Sequence, residues 1–349
     1  MKCQIRSLWS AMSFRNQGDL LSRAGKRYGY ETENLEMSRR AIYRRERWDL
    51  SIVLAPLWGI YILDAVRIGA PWMSRKFWLY GPVDGPLSRN MQILDVLRRS
   101  IKPERIATPS QYCAKALAEC GIPGVTVIPH GLDPLDFTFP PERIEEGKTN
   151  LRERYGDRVF FFSNINPLHR KGLTQMVDAM EILNEDRIPE YAVILHTEKS
   201  RALALEPRLN SVGNLFIQDD YRGCPFREMA YKTLISDVVL FPSLLEGFGL
   251  PVLEGLFASK PIVMADAPAH NELVDPSCAW MAPVREVREE YWKGPSCIAR
   301  LHLYEPRDLA ECMRQAIDNP RERAEKGFKA KEKGLRYHYF NVYKPFFKG

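Results

Sequence analysis

The stretch SLLEGFGLPVLEGL, residues 243–256, decides how the second half of the chain is expected to fold. It follows an apolar strand pattern, DVVLFPS, and its Pro251 suits the first turn of a helix, where a missing N–H costs nothing. Glu246 then lies in a glycine-containing loop and Glu254 lies about one turn into the helix. A strand, a loop and a helix in this order predict one unit of a parallel α/β sheet.

The same stretch predicts an anion site. The peptide groups expected at the start of the helix are those of Gly247, Phe248, Gly249 and Leu250. Helix N-termini favour anions, and a carboxylate one turn inside can accept two hydrogen bonds from a vicinal diol, as acidic residues do for ribose in dinucleotide folds. The stretch therefore suits a nucleotide diphosphate joined to a hydroxyl-rich group.

The length and composition indicate a two-domain globular protein. The chain has 349 residues, of which 45% are apolar and 27% charged, and this length exceeds the usual span of one hydrophobic core. Apolar runs alternate with helix-length segments, which predicts an α/β protein with two doubly wound parallel sheets and a ligand in the cleft between them. We expect domains at 1–145 and 146–325, and a C-terminal helix and aromatic tail at 326–349 that packs back on the N-terminal domain.

The individual elements follow from the same pattern. In the first half, strands are predicted at 3–8, 50–54, 76–80, 105–108 and 125–128, with a helix that Ser110 caps and Gly121 ends. In the second half, strands are predicted at 159–163, 191–196, 215–217, 238–241 and 261–264, and helices at 173–184, 226–235, 251–258 and 308–318. A loop rich in prolines and acids, residues 137–150, is predicted to link the domains.

The charge distribution and the cysteine content indicate the cellular compartment in which the protein is expected. Residues 1–141 hold 20 Lys and Arg against 13 Asp and Glu, so the N-terminal half carries all of the net charge of +6. The seven cysteines have no CxxC spacing and indicate free thiols rather than disulfides or a zinc site. No secretory signal and no membrane-spanning run is recognised, so we expect a cytoplasmic protein.

Several segments together resemble the GT-B fold glycosyltransferases of family 4, the group 1 glycosyl transferases. The run EGFGLPVLEGL, with LFPS before it and ASKPIVMADAPAHNELV after it, is similar to the E-x7-E region of that family. The segments FFFSNINPLHRKGLTQMVDAMEIL, VIPHGLDPLDF and ATPSQYCAKAL agree with it, so the resemblance covers residues 105–317. It implies two Rossmann-like domains that face a cleft, and retaining transfer of a sugar from a nucleotide-diphosphate donor.

The resemblance also implies roles for single residues. Glu254 would bind the ribose hydroxyls, Glu246 would contact the donor sugar, and Lys171 would neutralise the diphosphate. No metal and no cofactor are expected, because this sequence lacks a DxD motif and the cations come from side chains. Where many members have an arginine before the Lys-Gly pair, this chain reads SNIN, and Arg170 is the substitute that we expect.

The acceptor side departs from the family pattern. Many members carry a histidine in the N-terminal domain, whereas this chain reads WLYGPVDGPLS there. Asp84 is the ionisable candidate for an acceptor-side base or a sugar contact, and a turn residue is the alternative interpretation. His130 is either a cleft residue or a hydrogen-bonded structural histidine, and Glu272 either contacts a ligand or orients the helix after the donor loop.

Three other functions stay open at this point. A sugar-nucleotide epimerase or a phosphorylase could share the fold, and a non-catalytic sugar-nucleotide or nucleic-acid binding module could use the basic N-terminal half. The donor-site resemblance argues against nucleic acid as a partner. For a glycosyltransferase, the expected partners are a UDP- or GDP-sugar, with base selection near 218–221, and a glycan or lipid-linked acceptor. The arginine-rich segment from Arg39 to Arg47, with Trp48, would then contact an anionic membrane as a peripheral protein.

Overall fold

The structure is a computed structural model that describes residues 1–8, 12–37, 47–57, 73–86, 95, 98–292 and 297–348. The chain divides into two compact units. The first unit comprises Met1–Asp133, Glu289–Arg300 and Tyr337–Gly349, and the second comprises Pro134–Arg288 and Leu301–Arg336. The domain limits at 145 and 325 stay predictions from the sequence.

The first unit is built on a six-stranded parallel sheet with the order β2-β1-β3-β4-β5-β6. Its strands are β1 (Lys2–Ser7), β2 (Glu31–Glu36), β3 (Trp48–Leu54), β4 (Ser74–Tyr80), β5 (Ile106–Thr108) and β6 (Thr126–Val127). Helices α1 (Met12–Arg27) and α2 (Gln111–Glu119) accompany them, and Ser110 caps α2 by accepting a hydrogen bond from the Cys113 N–H. Val53, Leu79 and Ile106 pack with α2 in one buried cluster, so apolar strands and an amphipathic helix build this core.

The aromatic C-terminus packs within the first unit. The ring of Phe340 stacks on Tyr28 with centroids 4.6 Å apart, and Phe346 meets Trp78 edge to face at 5.4 Å. The phenol of Tyr343 accepts a hydrogen bond from the Gly131 N–H at 3.1 Å. Phe340 belongs to helix α10 (Tyr339–Val342) and Phe346 to helix α11 (Lys344–Lys348), and Tyr343 lies between the two helices.

The second unit holds another six-stranded parallel sheet, with the order β12-β11-β10-β7-β8-β9. Its strands are β7 (Val159–Asn164), β8 (Tyr191–His196), β9 (Leu215–Gln218), β10 (Val238–Phe241), β11 (Ile262–Ala265) and β12 (Ala279–Ala282). Its helices are α3 (Pro141–Tyr155), α4 (Leu173–Glu185), α5 (Lys199–Leu205), α6 (Phe226–Ile235), α7 (Leu250–Phe257), α8 (Pro306–Asp318) and α9 (Pro320–Gly334). A separate two-stranded sheet pairs β13 (Glu286–Trp292) with β14 (Cys297–Leu303), and Glu289–Arg300 of this segment belongs to the first unit.

The strand order of the second sheet positions the site. All six residues of β8 are buried, as expected for a parallel sheet that helices cover on both faces. Strand β7 lies between β10 and β8. Successive strands are added on one side of β7 up to β9 and on its other side from β10 onwards, so the strand order switches beside β7. The loops that leave β7 and β10 therefore start from adjacent strand ends, which is where α/β sheets bind ligands.

The predicted α/β class with two doubly wound parallel sheets is confirmed, but some local predictions are wrong. Residues 141–150, predicted as part of a linker loop, form the first two-thirds of α3, whose Pro141 lies in the first turn. Prolines mark helix starts as well as loops. The sequence patterns also missed β2, β12, β13 and β14. None of the helices in the described ranges is long and apolar enough to cross a bilayer.

Candidate active site

Two loops of the second unit are held together by backbone contacts. The N–H of Leu244, after β10, donates to the carbonyl of Arg170, after β7, at 2.8 Å. The Arg170 guanidinium in turn donates to the carbonyl of Leu245 at 2.6 Å. Gly172 permits this approach, because its φ is +71° and a Cβ there would collide with the carbonyl of Pro242. The sequence brings the predicted cations and the first glutamate together in this way.

Glu246 lies at the centre of the joined loops. Its Oε1 accepts hydrogen bonds from Lys171 Nζ at 2.5 Å and Ser243 Oγ at 2.6 Å, and its Oε2 accepts one from Arg170 Nη1 at 3.3 Å. The three charged side chains are only 9–14% exposed. Two cations thus share one carboxylate in a nearly dry place.

The surroundings hold Glu246 ionised. Burial by itself would raise the pKa of this carboxyl, but the charges of Lys171 and Arg170, with the hydrogen bonds from Lys171 and Ser243, lower it to about 2. An ionised carboxylate accepts hydrogen bonds and does not donate them. Glu246 is therefore equipped to bind hydroxyl groups or to orient the cations at neutral pH, and not to act as a general acid.

Glu254 lies in the first part of α7 and has the opposite electrostatic character. It is 7% exposed, and burial raises the pKa of its carboxyl to about 8 against a hydrogen bond from Asn164 that lowers it. No cation partner of Glu254 is recorded among the described residues. A ligand that offers two O–H donors would compensate for the buried charge, so a diol is a suitable partner for this group.

The turn into α7 depends on Gly249. Its φ of +99° lies in the left-handed region, and a Cβ on it would come within 2.5 Å of the His270 Cβ. The buried ring of His270 meets Phe241 edge to face at 5.1 Å, and burial lowers its pKa to about 4. Gly247, Phe248 and Gly249 are all buried, so their peptide groups lie inside the protein where α7 begins.

The charges of both glutamates affect the pKa of the Tyr221 phenol. Burial, then the charges of Glu254 and Glu246, raise the pKa of its phenol to about 12. Its ring also lies 5.4 Å from that of His196, at the end of β8. A half-buried aromatic ring next to two carboxylates and a strand end is a suitable surface for a planar base.

The remaining candidates lie in other segments of the chain. Asp84 is half-buried in the first unit, in the segment after β4. His130 is 4% exposed and makes a 2.7 Å hydrogen bond with the Tyr80 hydroxyl, which favours its structural interpretation. Glu272 is exposed. Trp48 is a buried residue of β3, so its expected place in a membrane-binding surface is wrong, and residues 38–46 lie outside the described ranges.

Three residues of the site escaped the sequence reasoning. Ser243, Asn164 and His270 contact or face the two glutamates, whereas Tyr221 lies in the range 218–221 that was predicted for base selection. Ser243 and Asn164 each follow or end an apolar strand, and polar residues at strand ends are a usable signal. His270 reaches the site through a turn after β11, which one sequence does not reveal.

Part of the chain is similar in sequence to known proteins. Residues 156–292 match the family model described as glycosyl transferases group 1. The chain is 30% identical over 156 residues to the MMP alpha-(1->4)-mannosyltransferase of Mycolicibacterium hassiacum, which covers 44% of this chain and 35% of that protein. It is 28% identical over 167 residues to the trehalose synthase of Thermococcus litoralis, over 45% of this chain and 38% of that protein. The chain thus spans about a third of the length of these curated relatives.

Solved structures share the fold over the whole chain. HepE of Anabaena, in complex with UDP-glucose, matches with a TM-score of 0.72 and 13% identity over 99% of this chain and 98% of that one. A glycosyltransferase from Rickettsia africae matches with a TM-score of 0.72 and 12% identity over 100% and 98%. The resemblance and the GT-B fold class predicted from the sequence are confirmed. The family match covers residues 156–292, and transferase activity of the whole chain stays a proposal.

Proposed function

We propose that this chain is a retaining glycosyltransferase. It moves a sugar from a nucleotide-diphosphate donor, UDP- or GDP-linked, to a hydroxyl acceptor such as a lipid-linked or protein-linked glycan. One observation carries the proposal: two buried cations, with the glutamate that both bind, lie beside the start of a helix that holds a second buried glutamate. HepE of Anabaena binds UDP and UDP-glucose with a fold of the same kind.

Each group takes one part of the donor. Glu254 accepts hydrogen bonds from the ribose hydroxyls, and the peptide groups from Gly247 to Leu250 lie near the sugar and phosphates. Lys171 and Arg170 face the diphosphate, and their positive charges stabilise the charge that develops on the departing phosphate. Preorganised cations in a dry site are effective because they need no reorganisation during the reaction.

Glu246 has two tasks in this proposal. It contacts the hydroxyls of the sugar that is moved, and it holds Lys171 and Arg170 at fixed positions through one charged hydrogen bond with each. Side-chain cations supply the charge at the diphosphate, so transfer at that position is proposed to need no metal ion and no cofactor. Asp84 is proposed to act on the acceptor side, as a base or as a sugar contact.

A product assay tests the function. The protein is first screened against UDP-, GDP- and ADP-sugars by thermal shift, because a bound donor stabilises the native state. The donor that shifts the midpoint is then incubated with and without glycan acceptors, and the products are followed by NMR. A product with the donor's anomeric configuration supports the proposal. Inverted product contradicts the retaining mechanism, and isomerised sugar nucleotide without an acceptor indicates the epimerase.

The membrane partner is a separate part of the proposal. The arginine-rich segment from Arg39 to Arg47 is proposed to bind an anionic membrane on the cytoplasmic side, where a lipid-linked acceptor would lie. Trp48 takes no part, because it is buried in β3. Co-sedimentation with anionic vesicles, compared with neutral ones, tests this contact, and equal recovery with both contradicts it.

A further inference from the structure

Three side chains with metal-binding atoms meet at one edge of the second sheet. His196 ends β8, while Asp220 and Cys224 lie between β9 and α6. A ring nitrogen, a carboxylate oxygen and the sulfur of these residues all lie within 4.8 Å of one another. Because β8 and β9 are neighbours in a parallel sheet, their carboxyl ends bring the three side chains together.

Asn164 sets the direction of the His196 ring. Its amide nitrogen donates a hydrogen bond that lowers the pKa of Glu254, and its Oδ1 is left for another partner. That oxygen lies 3.1 Å from Nδ1 of His196. A carbonyl oxygen can only accept, so Nδ1 carries the hydrogen and, in the neutral ring, Nε2 presents a lone pair.

The Nε2 atom of His196 lies within the cluster. The His196 side chain is 2% exposed, and Nε2 lies 3.1 Å from Oδ1 of Asp220 without the geometry of a directed hydrogen bond. An acceptor atom of the buried His196 ring therefore lies 3.1 Å from an acceptor atom of the exposed Asp220 carboxylate, and a cation between them would bind both. The half-buried thiol of Cys224 completes the set of three.

We propose that Nε2 of His196, a carboxylate oxygen of Asp220 and the thiolate of Cys224 bind one divalent transition-metal ion, of which zinc fits best. Nitrogen, oxygen and thiolate ligands at about 2.0–2.3 Å in a tetrahedron are usual for zinc, with the fourth position open to water. Metal-binding histidines generally donate their other N–H to an oxygen, as Nδ1 does to Asn164. On binding, the Cys224 thiol releases its proton to solvent.

Lys232 is the competing cation. Its Nζ lies 2.6 Å and 2.5 Å from the two carboxylate oxygens of Asp220. An incoming metal ion must take one of these oxygens, so replacing Lys232 with methionine strengthens metal binding. Asp220 is 60% exposed, which gives the ion a route from solvent.

The metal site differs in position and task from the proposed donor site. The ion would be bound by His196 and by Asp220 and Cys224, and it would fix the turn that carries Tyr221. The donor diphosphate is assigned instead to Lys171 and Arg170. The cysteine spacing gave no sign of it, because the ligands come from two strand ends and a loop and not from a CxxC pair. The proposal does not depend on which reaction the enzyme performs.

Cobalt spectroscopy tests the site on the whole chain. The metal-free protein is titrated with Co²⁺, and we expect one ion per chain, a thiolate-to-cobalt charge-transfer band and the intense visible bands of tetrahedral cobalt. Zinc added afterwards abolishes these bands by displacement. His196→Gln is expected to weaken cobalt binding at least about tenfold, as loss of a ligand does.

Variants of Cys224 and Asp220 give the sharpest tests, because these two ligands are more exposed than His196 and their replacement disturbs the fold least. Cys224→Ser removes the charge-transfer band and Asp220→Asn weakens binding, while Cys312→Ala, at a buried cysteine of α8, leaves both unchanged. Lys232→Met tightens binding. Absence of a saturable band in the wild-type protein, or a band that survives Cys224→Ser, overturns the proposal whatever the transfer assay shows.

Discussion

Glu246 and Glu254 are equally buried, at 7% exposure each, yet their surroundings shift their pKa values in opposite directions. Two cations and a hydroxyl surround Glu246 and lower its pKa to about 2. Glu254 is buried and accepts a hydrogen bond from one amide, that of Asn164, and burial raises its pKa to about 8. One residue is therefore a fixed charge, while the other becomes charged only at high pH or when a ligand supplies donors.

The raised pKa of Glu254 makes stability depend on pH. The folded protein keeps this proton up to about pH 8, whereas the unfolded chain loses it near 4.5. The free energy of unfolding therefore falls as pH rises between these values, by at most about 1.4 kcal/mol per pH unit. Glu254→Gln removes this term, so the melting temperature of the variant should rise relative to wild type from pH 5 to pH 8. A constant difference between the two proteins across this range would show that Glu254 is ionised in the folded state.

The cluster around Glu246 predicts a non-additive effect. Glu246→Gln leaves Lys171 and Arg170 without their carboxylate and should destabilise the fold by about 3–5 kcal/mol. Adding Lys171→Met removes one of the two buried charges, so the double variant should unfold at higher denaturant concentration than Glu246→Gln alone. Urea unfolding of the four proteins of the cycle measures the coupling. Additive losses would mean that the carboxylate does not hold the lysine.

At this scale, the sequence predicted the residue types better than their contacts. The spacing of Glu246 and Glu254 indicated two acids around a helix start, and both lie there. The ion pairs of Glu246 with Lys171 and Arg170 could not be predicted, because they depend on the meeting of two loops more than 70 residues apart. Their assignment to sugar, ribose and diphosphate stays a proposal.

At the scale of elements, the loop after β7 depends on one glycine. Gly172 has φ +71° and no room for a Cβ beside Pro242, whereas Gly124 has φ +80° and open space. Gly124→Ala should cost only about 1–2 kcal/mol for its left-handed backbone. Gly172→Ala should cost about 1–3 kcal/mol more, because the loop must move, and should weaken donor binding as well. Equal unfolding midpoints for the two variants would contradict the close approach of the loops.

The predicted elements were accurate where periodicity is strong. Strands β8 and β10 and helix α6 have the predicted limits, because buried parallel strands read as continuous apolar runs. The segment 137–150 was misread, since prolines and acids are typical both of loops and of a helix N-terminus such as that of α3. Strand β2, with the polar sequence ETENLE, gave no apolar signal at all.

At the scale of the whole molecule, two parallel sheets could be predicted from alternating patterns, but their strand order could not. Only the order places β7 between β10 and β8, and that placement joins the loops of the candidate site. The metal-ligand cluster of His196, Asp220 and Cys224 depends on the same order. Pairing between strands is set by packing across the sheet, and the residue pattern of a single strand does not specify its neighbour.

The central claim is that the second unit binds a nucleotide-sugar through Glu254 and Lys171. Calorimetric titration of wild type, Glu254→Ala and Lys171→Ala with UDP-, GDP- and ADP-sugars tests it most directly, with Glu272→Ala as a matched control at an exposed glutamate. We predict that one donor binds wild type and the control alike, and binds both site variants at least about tenfold more weakly, which corresponds to about 1.4 kcal/mol. Binding of every donor with unchanged affinity in the two site variants, or no binding to wild type, would contradict the account.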